Sequence, residues 1–223
     1  MNNLKRKIMS YETLETIIDN YDIELIIEKA KTINFNGQNS YLKTYPYFIN
    51  YFKEIDNLEV KDVVIGISFT YSWMPKILTI HEGNLEEIRD ILNQIKNNST
   101  SIKESDLAKL KSMFNHSLVG TSKLLHFINP NEYAIWDSNI YKFFKNTEYA
   151  NQVKLHSETI YIKYIDLLKR LIKHKDFQEI NDSILDDIRK LMLSKDYQMS
   201  KLRIAELVLF SIGKQLNKSP NEE

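Results

Sequence analysis

A chain of 223 residues, 43% of them hydrophobic, is long enough to bury one large core or two small ones packed together. Thirty Lys/Arg balance thirty Asp/Glu, so the formal net charge is zero, unlike that of a dedicated nucleic-acid binder. Cysteine is absent, which excludes disulfides, thiolate zinc sites, a cysteine nucleophile and thiolate-held iron–sulfur clusters. Five Gly and four Pro are too few for a turn-rich sandwich or barrel. Lys5, Arg6 and Lys7 have no long apolar run behind them, and nowhere do about 18 apolar residues run together. The expectation is a cytoplasmic, all-α protein with neither a secretory signal nor a membrane span.

In chain order, Ser10 is expected to cap a helix toward Asp19, and Asp22 one over Ile23–Thr32. Leu14, Ile17, Ile18 and then Ile23, Ile26, Ile27 and Ala30 recur at three- and four-residue intervals. A loop around Gly37 leads to a Tyr-rich helix, Tyr41–Phe52, broken or kinked at Pro46. Val63–Phe69 reads as a buried strand or a buried helix, and an all-helical neighbourhood favours the helix; Pro75 ends the stretch. Asn84 and Glu87 have capping-box spacing for a helix through Ile95. Asn97–Ser101 resembles a linker, dividing the chain into 1–98 and 99–223 if it divides at all. A helix over Ser105–Phe114, a turn at His116–Gly120, and helices over Thr121–Phe127 and after Asp137 follow. Helices over Ser157–Lys173, Ser183–Leu193 and Ser200–Leu216 close the chain, with a frayed tail from Asn217.

Few constellations suggest chemistry. No two histidines stand at ligand spacing, and there is no P-loop or glycine-rich dinucleotide fingerprint, so neither metal nor cofactor is expected. Glu86-Glu87 and Asp186-Asp187 point different ways on their helices and read as solvated acids. Between positions 142 and 175, eight basic residues face three acids; this is either a solvated helix surface or a phosphate-contacting stripe that includes Lys142. The informative segment is Leu118–Phe127 followed by Ile135–Ile140. Its glycine-containing turn should expose amides at a helix N-terminus, which favours an anion, with Lys123 as counter-charge. Asp137 should cap the next helix by accepting N–H bonds from Asn139 or Ile140.

This segment resembles the helix-hairpin-helix DNA glycosylase superfamily. Its hairpin, of pattern leucine–proline–glycine–valine–glycine, grips the DNA backbone, and a downstream aspartate at a helix start serves the glycosidic chemistry. Val119-Gly120-Thr121 is similar to the end of that hairpin and Asp137 to the aspartate. Leu118 stands for the first glycine and Ser117 for the proline. Trp73-Met74-Pro75 and the run 122–127 look like a divergent bacterial branch. The resemblance implies DNA as partner, contacted by Ser117, Val119, Gly120, Thr121 and Lys123. It also implies that Asp137 stabilises an oxocarbenium-like sugar or activates water. Ser122 falls where bifunctional members carry a Schiff-base lysine, with Lys123 one residue late, so a monofunctional, water-using hydrolase is expected. A flipped base needs a pocket, for which Tyr71, Trp73 and Trp136, with His126, are the candidates. For Trp73 and Trp136 core packing is the competing reading, and for His126 a place at the core's edge.

The rival expectation is a non-catalytic module, binding nucleic acid or a protein partner in a bacterial defence or toxin–antitoxin system, with Asp137 only a cap. A third is hydrolysis of a free nucleoside or nucleotide, which needs the carboxylate but not the hairpin.

Overall fold

The structure, a computed structural model, describes residues 12–33, 40–98, 100–191 and 198–215. Ser10, the loop around Gly37, Ser99 in the linker-like run and the tail from Asn217 lie outside the described residues. The protein is mainly helical: 68% of the described residues are in helices and none is in a strand. An isolated antiparallel bridge joins Ile80 to Phe114.

Among the described residues twelve helices follow one another: α1 Leu14–Asp19, α2 Ile23–Ala30, α3 Ser40–Lys53, α4 Val60–Ser72, α5 Leu85–Lys96 and α6 Glu104–Met113, then α7 Leu118–Ile128, α8 Ser138–Lys145, α9 Gln152–Leu155, α10 Glu158–Leu171, α11 Phe177–Leu191 and α12 Lys201–Gln215. Their starts follow local chemistry. Asp22 accepts the Glu24 amide at 3.0 Å, and Asn84 accepts those of Glu86 and Glu87. Glu87 does not return the bond but pairs with Lys109. Ser157 caps α10 and Ser200 accepts the Arg203 amide at 3.2 Å. α3 runs through Pro46. The stretch 63–69 is helix, within α4, and its Gly66 lies against the Phe52 ring, where a Cβ would stand 2.3 Å away.

Three helix starts differ from the expectation: α1 begins at Leu14, capped by Thr13, whose hydroxyl accepts the Thr16 amide, and not from Ser10. α11 begins six residues earlier than Ser183, with Phe177 and Ile180 buried as its first apolar positions. α7 begins at Leu118, so Val119, Gly120 and Thr121 form its first turn and not a hairpin before it. Ser117 is the cap, its Oγ accepting the Gly120 amide at 3.2 Å. Gly120 is tolerated in the helix because the Tyr71 ring packs on it, 3.2 Å from where a Cβ would be.

The helices form two groups that do not follow chain order. α7 is the centre of one, packed by α3, α4, α5 and α6. α12 is the centre of the other, packed by α2, α8, α10 and α11, with α1 on α8 and α10. The hydrophobic core is continuous across both. The tightest approach is α12 against the start of α8: a Cβ on Gly213 would stand 2.0 Å from the Asn139 carbonyl oxygen. Any side chain at Gly213 therefore forces the two helices apart, close to where Asp137 is presented.

Candidate functional site

Asp137 sits at the N-terminus of α8, one carboxylate oxygen accepting both the Asn139 amide (2.8 Å) and the Ile140 amide (3.1 Å). The backbone leading to it is held from behind. The carbonyls of Tyr133, Ala134, Ile135 and Trp136 each accept a bond from a different buried side chain: His126 Nδ1 (2.7 Å), Tyr161 OH (3.0 Å), Tyr164 OH (2.9 Å) and Ser122 Oγ (3.3 Å). Ser122 Oγ also accepts the Trp136 amide at 3.0 Å. A buried, non-helical segment must satisfy its polar groups in this way. The result is a rigid platform ending in Asp137.

Asp137 faces a cavity of about 400 Å³ between the two helix groups. Lys123 from α7 and Arg203 and Glu206 from α12 line it, with Trp73 and Tyr41 on one wall. Ser117, Val119 and His156 also border it. The Trp73 indole donates to Thr44 at 3.1 Å and lies against the Tyr41 ring, 5.3 Å between centroids. Arg203 and Glu206 form a buried ion pair, Nη1 to Oε2. The Arg203 guanidinium lies over the Tyr45 ring, 5.1 Å from its centroid, and its Nε has no partner among the described residues.

Burial governs the charges. It raises the Asp137 carboxyl above its ordinary range, against the two amides and Lys123. It lowers the Lys123 ammonium, reinforced by Arg203 and opposed by Asp137 and Glu206. Glu206 is pushed up to about 7, first by burial and also by Asp137, with Arg203 opposing. The cavity thus gathers an amine drawn down and two carboxyls drawn up. Perturbed groups converging on one cleft mark a functional-site candidate.

Of the residues singled out from sequence, the structure brings together Asp137, Lys123, Trp73, Ser117 and Val119. The others are elsewhere. Ser122 is fully buried and engaged with the Trp136 backbone, so Lys123, not Ser122, reaches the cavity that Asp137 lines, its Nζ donating to the Trp73 carbonyl at 3.3 Å. Thr121 is buried, its hydroxyl donating to the Ser117 carbonyl. Tyr71 packs on Gly120 with its hydroxyl toward the Phe114 carbonyl. Trp136 is fully buried, its indole donating to the Leu155 carbonyl at 2.8 Å. Lys142 lies in the last turn of α8, the end opposite Asp137. At the α7 N-terminus two of the amides expected to meet an anion are engaged within the protein: that of Leu118 donates to His156 Nδ1 at 3.1 Å and that of Gly120 to Ser117.

The basic stretch is largely engaged within the protein. Lys154 pairs with Glu15, Lys163 with Asp19 and Lys169 with Glu132. Arg170 donates to the Asp19 carbonyl at 3.2 Å. Much of that excess therefore clamps α1 onto α9 and α10. Among the described residues, Glu24, His174 and Asp176 bring three potential metal ligands together away from the cavity, the His174 ring already bonded to Glu24 at 3.0 Å.

His126, expected in a base pocket, is fully buried. Its Nδ1–H donates to the Tyr133 carbonyl, so Nε2 accepts from the Tyr45 hydroxyl at 2.8 Å. Burial and Arg203 lower it to about 3. The folded ring stays neutral while the unfolded ring takes a proton below about 6.5, so its contribution is complete above that pH and is lost as pH falls toward 3. Near pH 5, unfolding is expected to take up one proton at His126, a loss of about 1.4 kcal/mol per pH unit. Denaturant titrations at pH 7 and pH 5 should show this loss in wild type and a smaller one in His126→Gln; equal losses count against it.

Arg203, Glu206 and His156 were not singled out from sequence. A signal for the first two existed. Leu202, Ile204, Ala205, Leu207, Val208 and Leu209 surround them, and a helix apolar on every side is buried. Charges inside such a helix must be buried too, and therefore paired or functional. His156 follows the four-residue helix α9, which the sequence did not announce. Compared with protein-family models, curated proteins and solved structures, the chain matches none of them.

Proposed function

We propose that this protein cleaves N-glycosidic bonds, with DNA bearing a flipped-out base as substrate, Asp137 as essential carboxylate and Lys123 as attacking amine. The observation that carries the reading is the convergence of Asp137 and Lys123 in one aromatic-walled cavity. The cavity's 400 Å³ lies in the range of small-ligand pockets. Bond cleavage passes through an oxocarbenium-like sugar, which a carboxylate at its face stabilises. A lysine desolvated by burial is more often unprotonated and so a better nucleophile. Its attack on the sugar carbon displaces the base, which leaves with the bonding electron pair; Asp137 takes the proton that the nitrogen sheds, and opening of the sugar ring turns the adduct into an iminium that borohydride can reduce. Tyr41, exposed on the wall and backed by the largely buried Trp73, offers a stacking surface for the base. The water-using scheme expected from sequence depended on Ser122 occupying the nucleophile's place.

A second reading, cleavage of free nucleosides or nucleotides, is favoured by one set of observations. The Leu118 and Gly120 amides are taken, and the basic stretch is paired internally. Affinity for a duplex rests largely on free positive charge. A base-release assay on single- and double-stranded DNA, plain and modified, and on free nucleosides separates the two. Wild type should release base from DNA and, with borohydride present, become covalently attached to it; Lys123→Gln should not be trapped. Release without trapping would assign the attack to water activated by Asp137. Release from nucleosides alone would favour the second reading, and no release from either substrate class would overturn both.

A further inference from the structure

We infer that Glu206 is the acid that protonates the departing base, a role that rests on the glycosidic reading above. Cleavage of this bond needs a group at the sugar carbon and another at the leaving nitrogen. Asp137 and Lys123 supply the first from α7 and the α8 N-terminus. Glu206 lines the same cavity from α12. It is 2% exposed, whereas Asp137 is half-buried, so Glu206 belongs to the deeper wall, where an inserted base would end. Its partner is Arg203, whose guanidinium remains beside the carboxylate once the proton has gone.

The groups facing Glu206 come from four places. Arg203 lies on its own helix, Asp137 at the α8 cap, Lys123 on α7, and Tyr161 and Tyr164 on α10. The two phenols are held neutral by burial and donate to the Ala134 and Ile135 carbonyls. Burial and Asp137 hold Glu206 near 7 despite Arg203 and Lys123, so a protonated fraction exists at neutral pH. In the step, the Lys123 nitrogen bonds to the sugar carbon and the carbon–base bond breaks. Its electron pair leaves with the base, which receives the Glu206 proton. The proton shed by the Lys123 nitrogen passes to Asp137. Two carboxyls thus exchange protonation states, one as acid and one as base.

The test compares two leaving groups in otherwise identical DNA strands. Adenine or hypoxanthine needs a proton to depart, whereas N7-methylguanine already carries the positive charge that protonation would supply. With wild-type protein, release of the uncharged bases should fall above about pH 7, roughly tenfold per unit, and N7-methylguanine release should lack that decline. Glu206→Gln should lower release of the uncharged bases by on the order of 10²–10⁴-fold and that of N7-methylguanine by less than about threefold. Should that variant fail to fold, the two wild-type pH profiles decide alone. An identical decline for both leaving groups, uncharged-base release without a decline, or release of N7-methylguanine only, overturns the role of Glu206 and spares the glycosidic reading. Release of no base from any strand overturns both.

Discussion

Asp137→Asn is expected to lower base release by on the order of 10²–10⁴-fold while leaving the fold intact. Asparagine keeps an oxygen at the same place and caps a helix about as well as aspartate, so the Asn139 and Ile140 amides stay satisfied. What disappears is the negative charge. The developing positive sugar then has no counter-charge, and the proton shed by the Lys123 nitrogen has no acceptor. Lys123 also loses the partner that keeps its ammonium from falling further, so the amine is no less available than before. A deficit in the variant must therefore be assigned to the carboxylate. Thermal unfolding by circular dichroism and the base-release assay, run on one preparation, decide the matter. Equal release by wild type and variant removes Asp137 from the mechanism, and a collapse of Tm makes it a structural cap.

The second large effect concerns Arg203 and Glu206. Breaking a buried ion pair from one side leaves an uncompensated charge, which typically costs about 3–5 kcal/mol. Arg203→Met leaves Glu206 facing Asp137 without its cation, and Glu206→Leu leaves Arg203 with only the Tyr45 ring. Glu206→Leu should lose stability of that order by denaturant titration, and Arg203→Met less, because Glu206, already held up near 7, then takes up a proton. Removing both charges with apolar groups of similar volume is often neutral or stabilising by about 1–4 kcal/mol. The double variant Arg203→Met/Glu206→Leu should therefore recover most or all of the lost stability yet release no uncharged base. That combination means the pair is kept for chemistry at no benefit to stability. A stable double variant with wild-type release would make it an accident of packing, and a double variant as unstable as the singles would make it a structural clamp.

How much of this was legible beforehand depended on whether the information was local. The helical class, and the starts of α2, α5, α8 and α10, follow from apolar periodicity and from cap residues acting within three positions of themselves. Asp137 at a helix start is of this kind, since Asp-Ser-Asn encodes its own cap. The identity of its neighbour was not local. Reading Gly120 as a turn residue set α7 three residues late, and glycine's poor helix propensity made that the natural choice. The Tyr71 ring on Gly120 and the Ser117 cap overrode it. Each residue turns a helix by about 100°, so a one-residue change of position separates core from cavity. Ser122 consequently faces the Trp136 backbone while Lys123 enters the cavity that Asp137 lines. The basic stretch behaved likewise: its excess was visible in sequence, but its partners Glu15 and Asp19 lie over a hundred residues away and only packing brings them there. By itself the sequence determined the starts of those helices that carry their own Asp, Asn or Ser cap, and which carboxylate stands at one. Tertiary structure alone decided what that carboxylate faces, because Lys123, Arg203 and Glu206 reach it from helices whose rotation and closeness are set by long-range contacts such as that of Gly213 with Asn139.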